Sequence, residues 1–239
     1  MRRCPVPEVL FAEERFELSE ELTRYLCVVL RLSEGDAFTG FNGLGWERDY
    51  ELERAEGSWR ARGLGAPRRG RRGAPLSLCY GVPKGDKLDL VTRQVTELGV
   101  GALELWAASR SVAIWKRDKL KSKLARLERV SSEAARQCGR ADSPLLSPPA
   151  LLSELIERHA QTPHRLYLDP RAALTLRELE LKRGEVALLV GPEGGLSPEE
   201  LEALEGAGWQ GLALSCPVLR TETAAVVGVA LTLEAMAWL

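Results

Sequence analysis

Leu188-Leu189-Val190-Gly191-Pro192-Glu193-Gly194-Gly195-Leu196-Ser197 is a run of apolar residues that stops at a glycine loop and opens into a helix. A second segment repeats the plan: Leu214-Ser215-Cys216-Pro217-Val218-Leu219-Arg220-Thr221-Glu222-Thr223-Ala224. Strand, tight loop, helix is the grammar of an α/β sheet, in which ligands bind at the carboxyl ends of the strands. The fold class expected from these two segments is therefore α/β with a mostly parallel sheet.

The chain upstream keeps the same rhythm as far back as residue 75. Pro75–Val82, Val100–Ala107, Leu145-Leu146, Arg165–Leu168, Val186–Val190 and Leu212–Ser215 read as short strands. Between them, Asp86–Leu98 places Leu88, Val91, Val95 and Leu98 at helical spacing, with Asp86 as the expected cap. Residues 116–137 form a basic amphipathic helix on Leu120, Leu124, Leu127 and Val130, and further helices are expected over 150–159 and 198–207. The last helix, from Thr223, is apolar nearly all round, so it must be covered on more than one side, and a homodimer interface is the expected cover.

Before residue 73 the pattern changes. Leu26–Leu32, Asp36–Phe41, Trp46–Leu52 and Ser58–Ala61 are short pieces separated by turn signals such as Asn42-Gly43, as in a small β-rich domain. Gly63–Gly73, rich in Gly, Pro and Arg, reads as a linker. Two domains are thus expected, over 1–72 and 73–239.

Bulk chemistry narrows the classes. With 45% hydrophobic and 28% charged residues over 239 positions, the chain is ordinary for a globular protein with a real core. No apolar N-terminal run follows Met1-Arg2-Arg3, and no segment reaches the about 20 apolar residues a membrane span needs. A cytoplasmic protein is expected. Five scattered cysteines without a Cys-x-x-Cys pair, and only His159 and His164, argue against a disulfide framework or a metal centre. The near-zero net charge conceals segregation. Residues 76–145 carry 13 Lys+Arg against 8 Asp+Glu, and residues 146–239 carry 7 against 13. A polyanion partner on the basic part and a solvated basic loop are both consistent with that.

The usual phosphate cradles are absent: there is no Gly-x-x-x-x-Gly-Lys-Ser/Thr, and Gly43-Leu44-Gly45 lacks the third glycine of a dinucleotide fingerprint. Ser197-Pro198-Glu199-Glu200 is a capping box, which accounts for Ser197 and Glu200 without catalysis. Glu193, inside the glycine loop, has no capping duty. Arg220, Glu222 and their threonine neighbours fit a ligand loop. They fit equally a plain helix start, with Thr221 as cap and Glu222 answering the dipole.

GPEGGLSPEE and LSCPVLRTETAA together resemble the family that methylates N3 of uridine 1498 in 16S ribosomal RNA, within the SPOUT class of knotted methyltransferases. The likeness extends to KGDKLDLVTRQVTELGV (84–100) and EAARQCGR (133–140), and YLCVVLRLSEGDAFTGFNGLG (25–45) resembles the family's PUA-like RNA-binding barrel. The family usually opens with Arg and aromatic residues, whereas Arg3 here precedes Cys4-Pro5; it often has His-Leu where this chain has Tyr25-Leu26.

The resemblance implies a trefoil knot and S-adenosylmethionine as cofactor, with no metal. It implies that the cofactor is held by Leu168, Asp169 and Pro170; by Val190, Gly191, Pro192, Glu193, Gly194 and Gly195; and by Leu214, Ser215, Cys216, Val218, Leu219 and Thr223. Leu196 would add to the apolar bed. Arg220 and Arg140 are the expected cations at the reacting base, and Glu222 handles a proton or holds Arg220. 16S ribosomal RNA would be gripped by Arg3, Arg24, Arg31, Arg110, Lys116, Lys119, Arg136 and Gln137. The same basic face continues through Lys121, Lys123, Arg126 and Arg129. Two other readings share features with this one: a SPOUT enzyme acting on ribose hydroxyls or transfer RNA, and an RNA-binding protein without catalysis.

Overall fold

The computed structural model describes residues 2–55, 57–83, 87–109, 117–175, 178–179, 181 and 184–238. Its contacts divide the chain into two compact units, 1–72 with 135–143 and 73–134 with 144–239.

The first unit contains β1 (Arg3–Pro5), α1 (Glu8–Phe11), β2 (Arg15–Glu17), α2 (Glu20–Thr23), β3 (Ala37–Phe41), β4 (Trp46–Ala55) and β5 (Ser58–Arg69). The sheet order is β1-β3-β4-β5-β2, parallel between β1 and β3 and antiparallel elsewhere. Among the described residues the ladder runs from β1 at one edge to β2 at the other. Its core centres on Tyr50, fully buried, stacked on Phe38 and met edge-on by Phe11 and Phe16.

Two sequence expectations fail here. Leu26–Leu32 is not a strand: α2 runs on as a π-helical segment over Arg24–Val29. Ser19 starts that helix by accepting from the Leu22 amide at 3.2 Å, and Leu26 is driven into the core while Val28 and Val29 stay exposed. The cap and one buried leucine outweigh the strand preference of the Val28-Val29 pair. Gly63–Gly73 is not a linker either, because β5 extends to Arg69. Arg62 pairs with Glu51 and Glu53, and Arg68 with Glu47 and Asp49, all on β4. Cross-strand pairs of this kind contribute roughly 0.2–1 kcal/mol each. The glycine in this stretch has a packing reason. A Cβ at Gly63 would meet the guanidinium of buried Arg48, which donates to the Gly65 and Glu13 carbonyls.

The second unit contains β6 (Leu76–Gly81), α3 (Lys87–Leu98), β7 (Ala102–Trp106), α4 (Arg117–Cys138), β8 (Leu145–Ala150), α5 (Leu152–Arg158), β9 (His164–Leu168), β10 (Leu174–Thr175), β11 (Val186–Val190), α6 (Pro198–Gly206), β12 (Gln210–Ala213) and α7 (Thr221–Ala235). The last turn of α4 belongs to the first unit. Seven parallel strands run in the order β10-β12-β9-β11-β6-β7-β8. Every residue of β11 is buried, as a central parallel strand covered on both faces requires. Alternation along the strands splits the core. Leu78, Tyr80, Leu188 and Val190 pack with Val91 and Val95 of α3 and Val229 and Leu233 of α7. Cys79, Ala187 and Leu189 face the opposite way, with Leu155 of α5 and Leu204 of α6. Among the described residues, no helix is long and apolar enough to cross a membrane.

Candidate functional site

The strand order sets β12, β9 and β11 side by side, so the loops after all three open at one sheet edge. They wall a cavity of about 670 Å³, within the size range of small-molecule sites. Residues 168–171, 190–196 and Pro198 line it, with Leu212, Leu214, residues 216–221 and Ala224.

The central loop is fixed from several sides. Trp106 Nε1 donates to the Val190 carbonyl at 3.3 Å, and the Gly195 amide closes a turn on the Pro192 carbonyl at 2.9 Å. The Thr221 hydroxyl donates to the Gly191 carbonyl at 2.6 Å and so ties this loop to the start of α7. The expected N-cap is corrected by one residue: Arg220 holds the N-cap position without a side-chain cap, and Thr221, the first helical residue, spends its hydroxyl on the neighbouring loop. The expected capping box is present, with the Glu200 amide donating to Ser197 Oγ at 3.2 Å and the Ser197 amide to Glu200 Oε2 at 2.8 Å. Glu200 Oε1 also accepts the Ser109 amide at 2.7 Å, which accounts for its burial.

Charge gathers around Lys87, at the first turn of α3. Its Nζ lies 3.1 Å from Glu222 Oε2 and 3.6 Å from Glu193 Oε1, linking the first turn of α7 to the glycine loop. Partial burial pushes the Glu222 carboxyl up. Its own backbone amide, the Lys87 ammonium and Arg220 outweigh that and hold it below the usual carboxylate range. Burial pushes the Tyr80 phenol well up, with the neighbouring Thr221 hydroxyl opposing and the Glu222 and Glu193 charges reinforcing it, so Tyr80 stays neutral. On the far wall the Arg171 guanidinium, 2.9 Å from Asp169, holds the Asp169 carboxyl low.

Of the residues expected to hold a cofactor, Leu168, Asp169, Val190, Gly191, Pro192, Glu193, Gly194, Gly195, Leu214, Cys216, Val218 and Leu219 all line this cavity. Two do not. Ser215 turns to a neighbouring cavity of about 470 Å³, lined also by Val227 and Leu231 of α7. Thr223 is exposed on α7 because its place in the helix turns it away from the loops. Arg220 lines the cavity, and Glu222 reaches its edge through Lys87. Arg140 departs from expectation: it belongs to the first unit, 2% exposed, with Nε donating to Asp142 Oδ1 at 3.0 Å. Its guanidinium braces the 140–142 turn and is not among the cavity's lining groups. Lys87, Arg171 and Ala224 line the cavity without a local sequence signal; nothing in the spacing around Lys87 announces a partner 135 residues away.

The expected RNA-binding residues divide similarly. Arg24, Arg31, Lys119 and Gln137 are exposed. Arg3 is occupied by Glu47 at 2.9 Å and by the Arg140 carbonyl, and Arg136 stacks on the Tyr25 ring at 4.7 Å. Arg110 and Lys116 lie outside the described residues, as does the expected cap Asp86.

Comparison with known proteins adds an independent line. The RNA methyltransferase domain family matches residues 71–233. Ribosomal RNA small subunit methyltransferase E of Mycobacterium bovis is 36% identical over 158 residues, 64% of this chain and 60% of its own. The chain thus spans about three fifths of that relative's length in the match. The Bacillus subtilis protein of the same name is 27% identical over 87% of this chain and 86% of its own. Among solved structures, a Legionella pneumophila methyltransferase in complex with the bound cofactor SAM superposes with a TM-score of 0.84. It shows 30% identity over 98% of this chain and 97% of its own. Ribosomal RNA small subunit methyltransferase E of Neisseria gonorrhoeae, bound to S-adenosyl methionine, gives 0.82 at 25% identity, covering 98% and 97%.

Proposed function

Because this chain belongs to the RNA methyltransferase domain family, we propose that it transfers a methyl group from S-adenosylmethionine to small-subunit ribosomal RNA, at N3 of uridine 1498. The observation that carries the reading is the cavity. Three glycines and four prolines stand in its lining beside an apolar bed of Leu196, Leu214 and Leu219, which lets main-chain groups approach a ligand. An adenine ring and a short charged chain need those features, and the Legionella and Neisseria relatives were solved with that cofactor.

The cofactor supplies an electrophilic methyl on a sulfonium. Uracil N3 forms the new N–C bond as the S–C bond breaks, and the N3 proton is given up. Glu222, its carboxyl held low by its own backbone amide, Lys87 and Arg220, is the proposed acceptor of that proton. Arg220 at the cavity wall faces the negative charge that develops on O2 and O4. The exposed cations of α4, with Arg24 and Arg31, provide salt-dependent grip on phosphates. The uridine is read as an extruded base, since a stacked base cannot present N3 to a walled cavity. The first unit is proposed as the PUA-like RNA-binding domain, and the second as the knotted catalytic domain. After β12, α7 returns to pack on β11, β6 and α3, a crossover that a trefoil knot uses. A homodimer through α7, whose Leu231 is exposed beside the smaller cavity, and a cytoplasmic setting alongside ribosome assembly complete the proposal.

Calorimetry with S-adenosylhomocysteine tests the cofactor, and nucleoside mass spectrometry of 16S ribosomal RNA from cells lacking the protein tests the target. Binding together with loss of 3-methyluridine supports the reading. Loss of a ribose methyl, or intact 3-methyluridine, overturns the target; no binding overturns the enzyme.

A further inference from the structure

The sheet face covered by α5 and α6 buries a second group of reactive side chains that methyl transfer does not use. Cys79 on β6 and Glu104 on β7 are register partners across a parallel pair. His159, at the carboxyl cap of α5, reaches between them. Cys79, Glu104 and His159 are 0%, 5% and 6% exposed, in surroundings of Leu155, Tyr167, Ala187 and Trp209. His159 Nε2 stands 3.6 Å from Cys79 Sγ and 3.0 Å from Glu104 Oε1, and the three donor atoms lie within 4.8 Å of one another.

We propose that Cys79, Glu104 and His159 form a binding site for one divalent transition-metal ion, Zn²⁺ first, that staples β6, β7 and α5. The geometry is the first argument. Bonds of about 2.3 Å to sulfur and 2.1 Å to nitrogen, at a tetrahedral angle, put sulfur and nitrogen about 3.6 Å apart, the separation found. The corresponding nitrogen-to-oxygen and sulfur-to-oxygen distances are about 3.4 Å and about 3.6 Å, so the Glu104 oxygen retreats from Nε2 by roughly 0.4 Å and settles against Sγ, which it already approaches within 4.8 Å.

The surroundings are the second argument. His159 Nδ1 is 3.1 Å from Thr162 Oγ1. With an ion bound, the imidazole proton sits on Nδ1 and is donated there while Nε2 turns its lone pair to the metal, the outer-shell arrangement that fixes a metal-binding imidazole. Arg158 pairs with Glu104 Oε2, which leaves Oε1 as the inward oxygen. Nitrogen, sulfur and a single carboxylate oxygen suit Zn²⁺ and disfavour Mg²⁺ or Ca²⁺, which take oxygen sets. Burial and then the Glu104 charge push the Cys79 thiol well up, so it is protonated without an ion. Binding forms the sulfur–metal bond and releases that proton to solvent.

The test uses the full chain, unfolded with chelator and refolded with or without Zn²⁺ or Co²⁺, then freed of loose metal. The expected result is one metal per chain by elemental analysis, an intense thiolate-to-cobalt absorption band and a raised melting temperature. Cys79→Ser and His159→Gln lose the ion and the band, whereas Cys216→Ser, altering an exposed thiol, keeps both. A wild-type chain that refolds with no stoichiometric metal and no cobalt–thiolate band overturns the site, as does a band that survives Cys79→Ser. The wild-type arms need no variant to fold, and none of these readouts depends on methyl transfer.

Discussion

Replacing Gly81 by alanine is the sharpest probe of the idea that the cofactor loop is set by what lies beneath it. Gly81 ends β6, and a Cβ there would stand 2.8 Å from Pro192 N, 2.9 Å from Pro192 Cδ and 3.1 Å from the Gly191 carbonyl carbon, where ordinary contact begins at 3.4 Å. These are main-chain and ring atoms, so no rotamer change relieves them. The loop must lift by about 0.6 Å, against the Thr221 bond to the Gly191 carbonyl and the Trp106 bond to the Val190 carbonyl. Overpacking of this sort costs about 1–3 kcal/mol. If the strain falls on the loop, affinity for S-adenosylhomocysteine drops about 5- to 150-fold by calorimetry. If it is shared with the fold, the second unit melts about 2–12 °C lower.

Gly206→Ala is the matched control. Gly206 ends α6 with open space at the Cβ position and no left-handed φ. Alanine there leaves affinity unchanged and stabilises by about 0.4–1 kcal/mol. An affinity for Gly81→Ala within about twofold of wild type, with an unshifted melting temperature, would refute the argument that this close approach sets the loop.

Three further outcomes follow from the same geometry. Ser197→Ala removes half of the capping box and costs about 1 kcal/mol in thermal unfolding; no change would mean that the box is incidental. Lys87→Met removes the ammonium that helps hold the Glu222 carboxyl low. Whatever depends on ionised Glu222 is present at neutral pH and lost as pH falls through its lowered pKa. The acid limb of the single-turnover profile therefore moves to higher pH in Lys87→Met and vanishes in Glu222→Gln; superimposable limbs in all three proteins would remove Glu222 from the chemistry. Replacing Lys119, Lys121 and Lys123 together by alanine flattens the salt dependence of RNA binding, by about 0.7 in slope for each single-strand phosphate no longer neutralised. An unchanged slope puts the footprint elsewhere.

How much of this could be read beforehand depends on where the determining interactions lie. β11, its glycine loop and the capping box of α6 were legible because every determinant sits within about ten residues. The π-helical segment after Thr23 was not, since Val28-Val29 argues for a strand and only the burial of Leu26 decides otherwise. The supposed linker is a strand because its arginines meet Glu47, Asp49, Glu51 and Glu53 across the ladder. The sequence displays that complementarity but not the pairing. Arg140 shows the same limit at the site. Its motif is recognisable, yet its guanidinium is committed to Asp142 within the first unit. Lys87 was invisible as a site residue because its partners, Glu193 and Glu222, stand more than a hundred positions away.

The electrostatics around Lys87 also decide which side chain should matter more. A base works best when its pKa lies near the operating pH, and the Glu222 carboxyl is held below even the ordinary carboxylate range. It is always ready to accept a proton and always a weak acceptor. Stripping the weakly acidic N3 proton with such a base alone would leave most of the barrier standing. The larger share must come from stabilising the charge that spreads to the uracil oxygens; of the two exposed arginines on the cavity wall Arg171 is paired with Asp169, which leaves that task to Arg220. Removing a donor aimed at developing charge typically costs about 10²- to 10³-fold in rate. Arg220→Ala should therefore lose about that much in single-turnover rate, while Glu222→Gln, which keeps the size and a hydrogen-bonding head, loses clearly less. The reverse order, with Glu222→Gln the more damaged enzyme, would mean that proton removal limits the reaction. In that case the Lys87 pairing must be broken when RNA binds, letting the carboxyl rise into the range of a working base.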